Sequence, residues 1–222
     1  MSRNLTKEKI KTNSPNNNSD ELKSIEEKLF NYIESSDIDN IKKIIFQPNI
    51  KFWEFLDQED STVLVKLAYA DLDIILDFIQ LAKQNLNHKQ LQIYINKKAQ
   101  NGFTALHYAS FRGNVKLCEK LIENFADINL INNNGLNVIH MAAQGDQPTT
   151  MVLFKEKYKM DPQKNDNVLS SALHWAAYMG SDLSLDYLAT WNLEIDKKDK
   201  DGFTPLHLAV MTGNNLFFYL NF

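Results

Sequence analysis

From Glu21 onward, apolar side chains recur at the spacing of helices that bury one face. Leu29, Phe30, Ile33, Ile38, Ile41, Ile44 and Ile45 form two such stretches. The polar triplet Ser35-Ser36-Asp37 divides them and predicts a helix, a turn and a helix. Leu64, Leu67, Ala68, Leu72, Ile75, Leu76 and Ile79 predict a second, poorer pair, with Trp53 and Phe55 in the connection. Residues 1–20 are polar and rich in asparagine. They offer too little apolar surface to offset ordering entropy and are expected to form a disordered arm.

Beyond residue 95 the pattern becomes periodic. His107, His140, His174 and His207 are separated by 33, 34 and 33 residues, and the motifs around them read Thr104-Ala-Leu-His107-Tyr-Ala, Asn137-Val-Ile-His140-Met-Ala, Ser171-Ala-Leu-His174-Trp-Ala and Thr204-Pro-Leu-His207-Leu-Ala. Three residues before each histidine stands Thr104, Asn137, Ser171 or Thr204. The side-chain oxygen of each can cap the free N–H groups of a starting helix. In the last copy Pro205 follows the cap, where its missing N–H costs nothing. Ala109, Ala142, Ala176 and Ala209 are small enough to let neighbouring helices approach.

Gly113, Gly180 and Gly213, with Gly145-Asp146 in the second copy, predict short first helices that end in the left-handed conformation. A second apolar stretch follows, with Cys118, Met151, Leu185 and Phe218 at one register and Leu121, Phe154 and Leu188 three residues later. Each unit is therefore expected to be two antiparallel helices. Polar turns such as Asn132-Asn133-Asn134-Gly135 and Asp199-Lys200-Asp201-Gly202 are expected to project as hairpins between units.

This repeated unit resembles the ankyrin repeat, and Thr204-Pro205-Leu206-His207-Leu208-Ala209 matches its Thr-Pro-Leu-His-x-Ala signature at every place. The resemblance implies an all-α ankyrin-repeat solenoid of helix-turn-helix units with short hairpin turns. Residues 96–222 would hold four repeats, the last one incomplete, and residues 21–95 degenerate ankyrin-like helix pairs, making roughly six in all. Leu169 stands where the other copies have Gly102, Gly135 and Gly202, which puts that hairpin in question. A narrower resemblance rests on Gly135 to Pro148, on His174-Trp-Ala-Ala-Tyr178 and on Thr204 to Val210. These segments are similar to the ankyrin region of Asp-His-His-Cys palmitoyltransferases of protist type, which implies a substrate-recruiting role beside a membrane catalytic part. No Asp-His-His-Cys motif or cysteine cluster is present, so no catalytic residue carries over.

Composition adds exclusions. Lys and Arg number 24 against 28 Asp and Glu, so a net charge of −4 gives no electrostatic case for nucleic acid. The single cysteine, Cys118, cannot form an internal disulfide, and its register is that of a core residue. No apolar run approaches the roughly 20 residues of a spanning helix, so a soluble, cytoplasmic chain is expected, membrane-associated if part of the longer family protein. Stacked repeats hold the four histidines too far apart for one metal ion. Each imidazole is expected to bond within its own turn and to the neighbouring loop. No nucleophile elbow, phosphate loop or zinc-protease motif occurs, and no catalytic residue, metal or cofactor is expected. The basic run Lys155-Glu-Lys-Tyr-Lys159 is read as a solvated helix end.

The resemblance implies a concave face lined by hairpins and first helices. At its registers stand Phe103, Leu136 and Phe203, then Tyr108, Met141 and Trp175, then Phe111, Tyr178 and Met211. Aromatic and Met side chains of this kind are enriched at binding hot spots, so a non-catalytic module for a protein or peptide partner is expected, centred on Tyr108, Trp175 and Tyr178. The apolar ending Leu216-Phe-Phe-Tyr-Leu-Asn-Phe222 has no polar cap. It suggests either a fragment of a longer chain or a monomer able to self-associate there.

Overall fold

The computed structural model describes residues 15–214, and the apolar ending and the expected second helix of the last repeat lie outside them. Twelve α-helices follow in order: α1 (Pro15–Glu34), α2 (Ile38–Ile45), α3 (Val63–Ala70), α4 (Ile75–Asn85), α5 (His88–Ile95), α6 (Ala105–Arg112), α7 (Val115–Glu123), α8 (Val138–Gln144), α9 (Pro148–Val152), α10 (Ala172–Met179), α11 (Asp182–Ala189) and α12 (Pro205–Thr212). Among the described residues there is no strand beyond the isolated bridge between Leu56 and Thr62. α1 begins at Pro15, so the expected boundary of the polar arm at residue 20 falls inside a helix. α5 is an element that the apolar spacing did not predict.

The first helices α3, α6, α8, α10 and α12 pack on one another in chain order, and the second helices lie behind them. Ala109, Ala142, Ala176 and Ala209 are fully buried along that row, where the absence of a bulky side chain lets consecutive helices close up. Behind it Cys118, Met151, Leu185, Leu121, Phe154 and Leu188 are fully buried too, each large side chain worth about 1.5–3 kcal/mol of transfer free energy.

Thr104, Asn137, Ser171 and Thr204 each sit as N-cap in a reciprocal capping box whose N3 partner is the motif histidine. The Thr104 N–H donates to His107 Nδ1 at 3.2 Å, so Nδ1 is the acceptor and Nε2 carries the proton. That Nε2–H donates to the Leu136 carbonyl of the next hairpin at 3.2 Å, and His140 repeats the link to the Ser170 carbonyl at 3.3 Å. Among the described residues His174 Nε2 has no partner and His207 bonds within its own turn, so the link is not repeated there. Burial drives the pKa of both His107 and His140 down to about 4, which keeps the imidazoles neutral.

The hairpins are also zipped to each other. Gln100 N–H donates to Glu59 O, Asn133 to Asn101 O, Asn167 to Asn134 O, and Lys200 to Val168 O, at 2.8 to 3.2 Å. Leu169 takes φ of 62° and forms the same turn as its glycine counterparts, at the strain cost a left-handed L-residue carries. In the second copy Asp146, not Gly145, holds the left-handed position, at φ of 55°. Gly145 is needed for another reason: a Cβ there would lie 1.9 Å from the Phe111 carbonyl oxygen. The 34-residue spacing between His140 and His174 is absorbed in the second helix, where α9 runs on as a π-helical turn over Leu153–Lys157 that takes up the extra residue.

A candidate partner-binding face on hairpins and first helices

α3 opens one of the two degenerate repeats expected before residue 96, and it keeps the repeat geometry without the histidine motif. Thr62 caps it as Thr104 caps α6, Asp60 takes the left-handed turn position at φ of 55°, and Asp71 ends the helix left-handed at φ of 53°. Val65 replaces the histidine and Leu67 the alanine, which hid the motif. Aligning on the threonine and on the two turn aspartates would have revealed it. The alignment puts Tyr69 at the register of Phe111 and Lys66 at that of Tyr108.

Those residues complete an aromatic cluster. Tyr108 meets Tyr69 edge-on, with ring centroids 5.2 Å apart, and lies 5.3 Å from Phe103. The Arg112 Nε–H donates to the Tyr69 carbonyl at 2.8 Å, and its guanidinium sits 5.3 Å from the Tyr69 ring and 6.0 Å from that of Phe111. Phe103, Tyr108 and Phe111 are half-buried and Tyr69 is exposed, so the cluster is anchored yet reaches the surface. Burial raises the Tyr108 phenol above its usual value.

A second group stands on α10. The Trp175 indole N–H donates to Asp166 Oδ2 at 2.8 Å, while Asp166 Oδ1 accepts from the Val168 and Ser170 backbone at 2.9 Å each. One buried carboxylate thereby shapes a hairpin and fixes the indole above it. Tyr178, 49% exposed, meets Trp175 edge-on at 6.1 Å. Phe203 is half-buried against His207 at 6.3 Å, and Met211 is 66% exposed.

Two expected members are not on the face. Leu136 and Met141 are only 3% and 4% exposed. Leu136 lies in a hairpin zipped to both neighbours and Met141 on α8 between α6 and α10, and there both side chains turn into the stack. The two aromatic groups are therefore separate, with half-buried Gln144 at the α8 register between them.

At the other end α1 and the hairpin at residues 56–59 line an open pocket of about 710 Å³, with Glu26, Glu27, Glu34 and Glu59 on its walls beside Lys23 and Lys66. Lys66 is held there by Asp57 at 2.7 Å. Burial pushes the Asp57 carboxyl upward, but its bonds to Lys66 and to the Ser61 and Glu59 N–H groups outweigh that and hold it below its ordinary value.

Cys118 is fully buried, 3.9 Å from Ser110 Oγ, and burial raises its thiol pKa to about 12, an inert core residue. Of the basic run, Lys155 pairs with Glu156 and stacks 4.8 Å from Trp191, and Lys157 reaches Glu119 at 2.6 Å. Among the described residues no group of three or more His, Cys, Asp or Glu is placed to hold a metal ion, and no helix is long and apolar enough to cross a membrane.

The family described as ankyrin repeats (3 copies) matches residues 32–166 and 139–220. The chain belongs to the ankyrin-repeat family. Its repeats are of a non-catalytic, protein-interacting kind, and the all-helical repeat fold agrees with the match. Among curated relatives, palmitoyltransferase AKR1 of Lachancea kluyveri is 32% identical over 113 residues, which cover 50% of this chain and 15% of that protein. The akr1 palmitoyltransferase of Schizosaccharomyces pombe is 29% identical over 154 residues, 69% of this chain and 23% of that protein. Alpha-latrotoxin-Lg1a of Latrodectus geometricus is 30% identical over 153 residues, 67% of this chain and 11% of the toxin. The chain thus spans less than a quarter of the length of each of these relatives. Likeness to the palmitoyltransferases accords with the resemblance its motifs carry, and the toxin shows that similar repeats also serve a protein of another kind.

Proposed function

We propose that this chain is a non-catalytic interaction module whose hairpin and first-helix face binds an extended segment of a protein or peptide partner. The observation that carries it is the pair of anchored aromatic groups on that one face. Tyr69 and Phe111 flank Arg112 while Tyr108 meets Tyr69 and Phe103, and Trp175, fixed by Asp166, meets Tyr178. Rigid aromatic side chains of partial exposure give contact area at small entropic cost, which favours them as anchors. Phe203 and Met211 extend the same face toward the last repeat. The carboxylates around the α1 cavity favour a partner whose segment is basic at that end.

The test is a peptide selected from a display library on the wild-type protein, its affinity measured by fluorescence polarisation. Trp175→Ala with Tyr178→Ala, and separately Tyr108→Ala, should each weaken binding at least ten-fold while circular dichroism stays unchanged. Unchanged affinity in both variants rejects the face.

The relatives favour a second reading, in which this is the substrate-recruiting ankyrin region of a longer palmitoyltransferase and works at a membrane rather than free in the cytoplasm. Sequencing the transcript past the codon for Phe222 decides it. An in-frame Asp-His-His-Cys segment between spanning helices supports the recruiting role, and a stop codon with no such exon downstream rejects it. Self-association through the apolar ending is a third arrangement, tested by sedimentation over a range of concentrations.

A further inference from the structure

Among the described residues three cations lie against aromatic rings, and two of them also hold a carboxylate. Lys155, over Trp191, pairs with Glu156, and Lys157, over Tyr158, pairs with Glu119. Arg112 is the exception. Its guanidinium lies 5.3 Å from the Tyr69 ring and 6.0 Å from that of Phe111, yet no acid among the described residues is within ion-pair distance of it. Nearby acids are engaged elsewhere. Asp71, which ends α3, accepts from Asn114 Nδ2 at 2.9 Å, and Asp57 holds Lys66, one turn before Tyr69, at 2.7 Å.

An arginine merely solvated at the end of a helix needs no ligand, since the C-terminal dipole favours a cation there. Arg112 differs in being fixed while exposed. Its Nε–H donates to the Tyr69 carbonyl at 2.8 Å, which ties the side chain back to the preceding repeat. Of the five N–H donors of a guanidinium this bond uses one, and the two Nη groups have no acceptor among the described residues. A planar fork held beside two rings has already lost part of the rotamer freedom that binding would cost, and its geometry matches the two oxygens of a carboxylate. Tyr108 meets the same Tyr69 ring at 5.2 Å, so the fork stands within the aromatic group assigned above to the partner.

We propose that Arg112 selects the chemistry of the partner: its two Nη groups bind the side-chain carboxylate of an aspartate or glutamate in the bound segment, while the residues next to that acid lie on Tyr69 and Tyr108. The inference rests on the partner-binding face proposed above and adds the acidic residue that the segment carries there.

The probe is a phage library of random dodecapeptides selected on the full chain, whose winning sequences should share an aspartate or glutamate. That residue is replaced by its amide in a synthetic peptide, and both forms are titrated by fluorescence polarisation. On wild type the amide form should bind about ten-fold more weakly or worse, since a hydrogen bond between charged groups is lost. On Arg112→Gln the two forms should bind within about two-fold of each other, because the partner of the carboxylate is gone. Arg112→Lys keeps the charge without the fork and should fall between. Urea midpoints of both variants check the fold. A purely structural arginine would lower the midpoint in Arg112→Gln and leave the preference for the acid intact, which overturns the proposal. So does a selected pool that shares no acidic residue. If Tyr108→Ala still weakens the peptide in either case, the face stands and only the charge selection falls. If neither Tyr108→Ala nor Trp175→Ala with Tyr178→Ala weakens it, the face itself fails and this inference fails with it.

Discussion

The histidine links make acid the condition under which this stack should loosen, and the size of the effect follows from the structure. His107 and His140 are buried with Nδ1 accepting a cap N–H and Nε2–H donating to the next hairpin. Burial disfavours the charged ring at both positions. Each has a pKa near 4 in the folded state against 6.5 for an ordinary imidazole. The unfolded chain therefore binds more protons between those values. Stability is fully present above pH 6.5 and is lost as pH falls through 4, by about 3 kcal/mol for each histidine at roughly 1.4 kcal/mol per pKa unit. The groups facing them do not reverse this. Lys98 opposes protonation of His107, and for His140 the Asp166 and Lys164 charges act in opposite senses while burial dominates. The assay is urea unfolding followed by far-UV circular dichroism at intervals from pH 7 to 4. The comparison is His140→Gln, whose amide can still reach back to the cap N–H as Gln90 does in α5. Wild type should lose stability more steeply across that window than the variant, by about 3 kcal/mol in total. Parallel curves would refute the reasoning, as would a wild type that loses nothing until pH falls below 4, where carboxylates such as Asp57 titrate instead.

Other outcomes follow from single sites. Leu169→Gly should stabilise the fold by roughly 1 kcal/mol, because it relieves a left-handed L-residue whose side chain is 48% exposed; an unchanged or lower urea midpoint would contradict it. Gly145→Ala should cost about 1–3 kcal/mol, since its Cβ would collide with the Phe111 carbonyl, and the same unfolding curves check this. Cys118 should resist iodoacetamide at neutral pH until the protein is unfolded in urea, as mass spectrometry of the alkylated chain would show. Asp166→Ala should destabilise its hairpin and change Trp175 emission together, because one carboxylate holds both.

The sequence by itself determined the repeating architecture of the second half. Caps, small residues and turn glycines act within one unit, so their spacing is written in the chain wherever the unit recurs. Thr104, Asn137, Ser171 and Thr204 were legible as caps for this reason, and so was the burial of Cys118 and Leu185. Where the motif residues had been exchanged, as with Val65 and Leu67 in α3, the same geometry persisted without its signature. The inserted α5 and the π-helical turn after α9 were equally silent, since each absorbs residues that fit no period.

Only the tertiary structure decided which apolar residues of the hairpin and first-helix registers face outward. Leu136 and Met141 share a register with Phe103 and Trp175, yet they are buried where those two are half-buried. Exposure depends on the neighbours' bulk, which no single repeat specifies. The same holds for Tyr69, joined to Tyr108 and to Arg112 only because repeats 42 residues apart stack.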